Sequence, residues 1–291
     1  MKTKEYLYFI EHICNYSHCT YLSYSRALEE FEKFLMLNDI SEADIQPRDV
    51  RDFMAVLTER GLAPRSVNLY LSAIRSYFDY CCRFYNLKFN PASVVRKVKA
   101  EKPLPVFIPE SDLNFIINNY LPADNFIHCR ARMAIMLLYH TGIRCTEACY
   151  LKNRDISLSE NFIKVMGKGR KERIIPISDE LKEEINRYRF IRRRSVASNI
   201  EDYFLVSKSG EMLETWQLRK IVYYALKKYL PEKMCHPHAL RHSFATALLN
   251  HGVRLEVIKT LLGHASIDTT TIYTHCSSTF IRKQYNKTFG L

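Results

Sequence analysis

Two arginines, two histidines, a lysine and a tyrosine stand in four separated segments, and together these side-chain types can handle a phosphodiester. The first segment reads Thr141-Gly142-Ile143-Arg144-Cys145-Thr146-Glu147. Gly142 permits a tight turn. Arg144 falls in the first turn of a following helix, and Glu147, three residues on, is spaced to orient its guanidinium, although such a pair on its own is ordinary surface decoration. The second, Gly167-Lys168-Gly169-Arg170-Lys171, reads as a hairpin tip. A lysine there can protonate a leaving oxygen; a solvated tip is the plainer alternative. The third is His236-Pro237-His238-Ala239-Leu240-Arg241-His242-Ser243-Phe244-Ala245-Thr246. Pro237 suits a helix start, which places His238 and Arg241 one turn apart on one face, an imidazole beside a fixed cation. A metal site on the two flanking histidines competes with this, but no carboxylate or cysteine stands at ligand spacing and Arg241 would repel a dication. The fourth runs Leu261-Leu262-Gly263-His264 and on to Tyr273. Gly263 suits a helix C-terminus with His264 at its mouth, and Asp268 is an N-cap residue type ahead of Tyr273.

The elements that must position these groups are mostly helical. Gly and Pro are scarce in the 291 residues, at 8 and 10, which argues against long disordered tracts, and the hydrophobic fraction of 47% can fill sizeable cores. Helical periodicity runs over 6–37 through Tyr24, Leu28, Phe31, Phe34 and Leu35. A second helix is predicted over 47–60, between Pro47 and Gly61, and a third from Arg65 to about Tyr85, with Val67, Leu71, Ile74, Phe78 and Cys81 as its buried stripe. Arg65, Asn68 and Arg75 lie off that stripe and face either a polyanion or solvent. RKVKAEKPLP, residues 96–105, reads as a linker, because its charge is dense and two prolines disfavour helix. A helix follows from Glu110 to Asn119. Residues 130–151 give a long apolar helix ending at His140-Thr141-Gly142 and a second starting near Arg144. Strands are predicted at 154–158 and 161–177 around the glycine-rich tip, and helix from beyond Ser178 to the end. In the tail, Ile281, Tyr285 and Phe289 form an apolar stripe that needs a surface to cover it.

Lys plus Arg number 43 against 31 Asp plus Glu, a net charge of +12, which favours a polyanionic partner. The nine cysteines show no disulfide-framework spacing, and MKTKEYLYFIEHICNYSHC lacks the apolar core of a secretion signal. No stretch approaches the roughly 18 apolar residues of a membrane span. A cytoplasmic protein with free thiols and no membrane association is therefore expected. His12, Cys14, His18 and Cys19 cluster near the start, but no second ligand pair stands at finger spacing, so no metal is assigned.

TGIRCTEACYLKNRDI, VMGKGRKERIIPI, HPHALRHSFATALLNHGVRLEVIKTLLGHASIDTTTIYTH, and the N-terminal SVNLYLSAIRSYFDYC and NPA occur in this order. The chain resembles the tyrosine recombinase, or phage integrase, family across essentially its whole length, and is most similar in size and layout to the Xer-type members. The family's six active-site positions fall on Arg144, Lys168, His238, Arg241, His264 and Tyr273. Two departures are small: His236 stands where the family often has a small polar residue, and Ala148-Cys149 replace bulkier aliphatics. The resemblance implies a mostly α fold with a small antiparallel β-sheet, in two domains. A helical core-binding (SAM-like) DNA-binding domain spans 1–95, a linker 96–106, and an α+β catalytic domain with a C-terminal tail helix 107–291.

The implied reaction is attack of the Tyr273 hydroxyl on the scissile phosphorus, giving a 3′-phosphotyrosine and a free 5′-hydroxyl with no cofactor. Arg144 and Arg241 would meet the phosphate oxygens, His264 would add a hydrogen bond, His238 would help remove the tyrosine proton, and Lys168 would protonate the leaving oxygen. The implied partners are double-stranded DNA carrying specific recombination sites and further protomers, as a homo-tetramer on synapsed DNA or a hetero-tetramer with a paralogue. Arg187, Arg189, Arg192, Arg193 and Arg194 hold phosphates or line a solvated helix. The family favours a neighbouring protomer as the surface for the tail; folding back on the chain's own domain is the alternative. The biological role is mobile-element integration, excision or inversion, or Xer-like dimer resolution. A tyrosine-type topoisomerase, a non-catalytic DNA-binding protein and a metal-dependent nuclease are the rival classes. The second histidine and the N-terminal match argue against the first, the full set of six against the second, and the lack of clustered Asp and Glu against the third.

Overall fold

The computed structural model describes residues 2–101, 105–167, 172–196, 202–263, 285, 286, 288 and 289. The chain divides into two compact units, Met1–Pro103 and Leu104–Leu291.

The first unit contains α1 (Thr3–Tyr8), a π-helical turn (Phe9–Ile13), α2 (His18–Leu37), α3 (Pro47–Glu59) and α4 (Pro64–Phe84). The continuous helix predicted from residue 6 is interrupted. Asn15 takes a left-handed φ of 53°, and Ser17 starts α2 afresh, its Oγ accepting from the Thr20 amide at 3.2 Å. The stripe read on α4 is buried as predicted: Val67, Leu71, Ile74, Phe78 and Cys81 join Leu28, Phe31 and Phe53 in one core. Asn68 and Arg75 are half-buried and hold a neighbouring stretch of chain. The Asn68 amide donates to the Val98 carbonyl at 2.8 Å and accepts from the Val98 amide at 2.9 Å. Arg75 donates to the carbonyls of Ala92, at 2.8 Å, and Val95. A segment without regular structure must place its backbone polar groups somewhere, and these two side chains strap 92–98 to α4.

The second unit contains α5 (Glu110–Tyr120), α6 (Phe126–Thr141), α7 (Cys145–Tyr150), β1 (Ile156–Ser157), β2 (Phe162–Met166), β3 (Glu172–Pro176), α8 (Asp179–Ser195), α9 (Thr215–Leu226), α10 (Pro237–Asn250) and α11 (Leu255–Leu262). Helix α6 starts at 126 rather than 130 because Asn125 caps it, accepting from the His128 amide at 3.0 Å. Every residue from Met133 to Thr141 is buried, and α8, α9 and α10 pack around it. A helix apolar on all sides belongs at the centre of a domain. The strands form one antiparallel sheet in the order β1-β2-β3, with Ile163 opposite Ile175 and Val165 opposite Arg173. The side chains of Ile163, Val165, Arg173 and Ile175 are buried. The predicted tip, 168–171, lies outside the described residues.

One reading is corrected, and the α8 arginines and two tail residues acquire contacts. The chain is not helical throughout beyond Ser178: residues 202–214 carry the isolated bridges Lys152↔Tyr203 and Val206↔Met212. Their buried apolar run, Phe204-Leu205-Val206, is too short to show a period. On α8, Arg189 donates to the Asn153 side chain and carbonyl at 3.3 and 3.2 Å, Arg192 to the Phe204 carbonyl at 3.2 Å, and Arg187 to Glu184 at 3.4 Å. Arg194 lies 4.1 Å from the Phe190 ring centroid. Arg189 and Arg192 fasten α8 to its own surroundings, while Arg187, Arg193 and Arg194 lie exposed along the helix. In the tail, Tyr285 is fully buried and its hydroxyl donates to the His140 carbonyl at 2.9 Å, while Phe289 packs on Tyr139, His140 and Phe244. These residues sit on the chain's own second unit. The last carbonyls of α6 have no helical partner, so the Tyr285 hydroxyl finds an acceptor there. Ile281 lies outside the described residues. No described helix is long and apolar enough to cross a membrane.

Candidate active site

Gly142 closes α6 in the left-handed conformation, φ 59°, its amide donating to the Leu138 carbonyl at 3.0 Å. A Cβ at this position would run into Phe244 and Leu262, so the turn needs glycine both for its backbone angle and for the close approach of α10. Two residues later Arg144 caps α7. Its amide donates to Glu147 Oε2 at 2.7 Å and its Nη1 to Oε1 at 2.9 Å, which is the pairing their spacing predicts. Sequence reasoning missed the other half of this contact. Arg173 Nη1 and Nη2 donate to the same carboxylate oxygens at 3.0 and 2.7 Å, so each oxygen of Glu147 receives two N–H groups. Burial pushes the Glu147 carboxyl up; the hydrogen bonds and charge of Arg173, then those of Arg144, outweigh it and hold the carboxyl below its usual range. Stripping the partner from a buried ion of this kind typically costs about 3–5 kcal/mol.

Helix α11 ends at Gly263, again left-handed at φ 63°. Its last carbonyls have no helical acceptor role to fill, and three successive ones each take an arginine. Arg173 Nε donates to Leu261 O at 2.8 Å, Arg241 Nη2 to Leu262 O at 2.6 Å, and Arg144 Nη2 to Gly263 O at 3.1 Å. The negative end of a helix favours cations, and charge-assisted bonds to carbonyls fix their direction. Arg241 also donates through Nη1 to Gly142 O at 2.5 Å, tying α10 to the α6–α7 turn. Arg241 is buried, whereas the Arg144 side chain is 35% exposed. Arg144 therefore opens onto a cleft of about 540 Å³ shared with Thr146, Tyr150, Lys164 and Gly167. Three arginines against one carboxylate leave this place positively charged.

Arg241 has its pKa pulled down to about 10, by burial first and then by the neighbouring charges of Arg144 and Arg173. It keeps its proton at neutral pH. His238 sits in the first turn of α10, exposed, and is held below the ordinary histidine range by partial desolvation, then by His236 and Arg241. Its imidazole is neutral at pH 7 and able to take a proton. His236 performs the cap that a small polar residue would: its Nδ1 accepts from the Ala239 amide at 3.0 Å. That bond puts the ring proton on Nε2.

Of the six residues singled out in the sequence, the structure brings Arg144 and Arg241 together on neighbouring carbonyls and sets His238 one turn from Arg241. Lys168, His264 and Tyr273 lie outside the described residues. Arg173 was the missed member. Its signal was there: it shares the parity of Ile175, so alternation along β3 points it inward, and a buried arginine needs a partner. Among the described residues, no group of His, Cys, Asp and Glu is placed to hold a metal ion.

Comparison with known sequences and structures gives a consistent answer. Residues 107–279 match the Phage integrase family, and residues 3–83 match the Phage integrase, N-terminal SAM-like domain. The tyrosine recombinase XerC of Thermodesulfovibrio yellowstonii is 35% identical over 276 residues, covering 94% of this chain and 90% of that protein. XerC of Bacillus subtilis is 33% identical over 279 residues, covering 93% and 90%. Among solved structures, the XerH site-specific recombinase bound to palindromic difH substrate, in its post-cleavage complex, superposes with a TM-score of 0.74 at 22% identity, over 97% of this chain and 83% of that one.

Proposed function

As this chain belongs to the Phage integrase family and is a site-specific tyrosine recombinase, we propose that Arg144, Lys168, His238, Arg241, His264 and Tyr273 form its catalytic set. The observation that carries this reading is the seating of Arg144 and Arg241 on the carbonyls of Gly263 and Leu262, in the residues that immediately precede His264. In that arrangement each arginine commits two N–H groups to the protein and keeps the rest of its fork for a phosphate.

The reaction follows from charge. A phosphodiester carries one negative charge. As the Tyr273 oxygen, losing its proton to His238, bonds to phosphorus, charge builds on the non-bridging oxygens. Fixed guanidinium groups that meet that growing charge lower the barrier more than they tighten ground-state binding. The bond from phosphorus to the 5′ oxygen then breaks, and Lys168 supplies that oxygen's proton. The 3′-phosphotyrosine keeps the energy of the broken bond, so a 5′-hydroxyl from another strand can reverse the steps without ATP or water. The residues present supply both charge and proton transfer for this route.

The substrate in this reading is duplex DNA with specific recombination sites, bound by residues 1–95 and by the catalytic domain, 107–291. The working assembly is a tetramer on two synapsed sites, either of one chain or with a paralogue, inside the cytoplasm. Relatives named XerC, at 33% and 35% identity, support an Xer-like role in dimer resolution, and mobile-element integration, excision or inversion is the alternative.

Incubation with a nicked duplex, whose cleavage product diffuses away, is the direct test. Covalent capture of DNA on the protein in the presence of EDTA is expected. Cleavage that requires a divalent metal, or leaves no protein on the DNA, would sink the reading. Lys168→Ala tests the leaving-group role separately. It is expected to cleave ordinary DNA poorly and to recover on a substrate with sulfur at the 5′ bridging position, since a thiolate departs without a proton. Absence of recovery, with recovery in another basic-residue variant, would reassign the acid.

A further inference from the structure

We propose that Arg173 is a positioning residue for DNA cleavage, one that acts through Glu147 on Arg144 and through the end of α11. This rests on the reading of Arg144 given above. Arg173 has no access to a ligand: its side chain is 4% exposed, and each of its guanidinium nitrogens is engaged, Nε with Leu261 O and the two Nη atoms with the Glu147 carboxylate. Arg144, by contrast, reaches toward the cleft on a long side chain. Its fixed points among the described residues are Glu147 and the Gly263 carbonyl, and Arg173 touches both neighbourhoods. It supplies half of the donors that hold the Glu147 carboxylate in place. It also lies so close to Gly263 that a Cβ there would stand 3.0 Å from Arg173 Nη1.

Arg173 is also the second residue of β3, directly beyond the segment that carries Lys168. One guanidinium therefore joins the arm of the hairpin, the carboxylate that orients Arg144, and the helix end that leads into His264. A lysine cannot reproduce this. Its ammonium is a point charge, whereas the three contacts need a planar fork. The competing explanation is that Arg173 merely neutralises a buried carboxylate so that the unit folds. The two explanations separate on the chemical step.

The test uses the full chain with Arg173→Lys, Arg144→Ala and their combination. The paired change Glu147→Gln/Arg173→Met is added because it leaves no unpaired buried charge. Each is assayed for thermal melting, for affinity to a single site, and for the cleavage rate on a nicked duplex. The rate is measured with an ordinary scissile phosphate and with a methylphosphonate, which lacks the charge that Arg144 would meet. Loss of a partner that orients a reacting group typically costs about 10–100-fold. Arg173→Lys and the paired variant are expected to melt earlier, since the Leu261 carbonyl loses its donor, but, read below that transition, to bind close to the parent and to cleave ordinary DNA slower by that order. Their deficit should shrink on the methylphosphonate, as that of Arg144→Ala should, and Arg144→Ala/Arg173→Lys should be no slower than Arg144→Ala alone. Full-speed cleavage by both Arg173 variants would overturn the proposal. So would a deficit that is equal on both substrates, or one that adds in full to that of Arg144→Ala. Normal cleavage by Arg144→Ala would instead overturn the reading of Arg144, and this role for Arg173 with it.

Discussion

Tyr273→Phe is expected to bind its DNA site like the parent and to form no covalent complex at all. The substitution removes one oxygen atom. Binding draws on the basic surface of a chain with a net charge of +12, whose phosphate contacts dominate affinity, and one neutral hydroxyl contributes little to it. Covalent catalysis, however, has no substitute for its nucleophile. The expected effect is thus the largest that any single change in this chain can have on cleavage, and among the smallest on binding. A gel-shift titration and a nicked-substrate trap, run on the same preparation, read the two separately. Residual protein-linked DNA in the variant would mean that another residue attacks.

Arg241→Ala is expected to slow cleavage by about 10²–10³-fold, the cost typical of losing one preorganised donor to a developing oxyanion. The structure adds a second consequence. Arg241 is buried and satisfies the carbonyls of Gly142 and Leu262, and buried polar groups left without partners cost roughly 1–3 kcal/mol each. The variant should therefore melt earlier as well, and its cleavage has to be read below that transition. Arg241→Lys keeps the charge but not the fork, so it is expected to regain melting more than rate. If binding and cleavage fell by the same factor in both variants, Arg241 would be an ordinary phosphate clamp.

Much of this was legible from residue type and spacing. The stripe on α4 is a repeated statement over about four turns, and the burial of Val67, Leu71, Ile74, Phe78 and Cys81 follows from it. Gly142 and Gly263 mark helix ends because each stands in a backbone conformation that side chains resist. Pro237 places the start of α10, and with it the relation of His238 to Arg241. Other contacts carry no local signature. Arg173 meets Glu147 across 26 positions and Leu261 across 88. Alternation along β3 says that it points inward, and nothing in the neighbouring residues says toward what. Asn68 and Arg75 look like a polar face, and only the return of 92–98 onto α4 gives them partners. Arg189 and Arg192 of α8 fit neither reading for a similar reason: a charge run looks alike whether it serves a ligand, solvent or the backbone of Asn153 and Phe204. His236 illustrates the opposite case, since an unusual residue at a known kind of position still makes the bond that the position requires.

The most direct test of this account is to locate the DNA on the protein. A covalent complex formed on a nicked duplex in EDTA is trimmed by nuclease, digested with protease, and its modified peptide sequenced by mass spectrometry. The account predicts a nucleotide joined through its 3′-phosphate to Tyr273 and to none of the other tyrosines among the 19 in the chain. A nucleotide attached to a different residue, or linked through a 5′-phosphate, would contradict it.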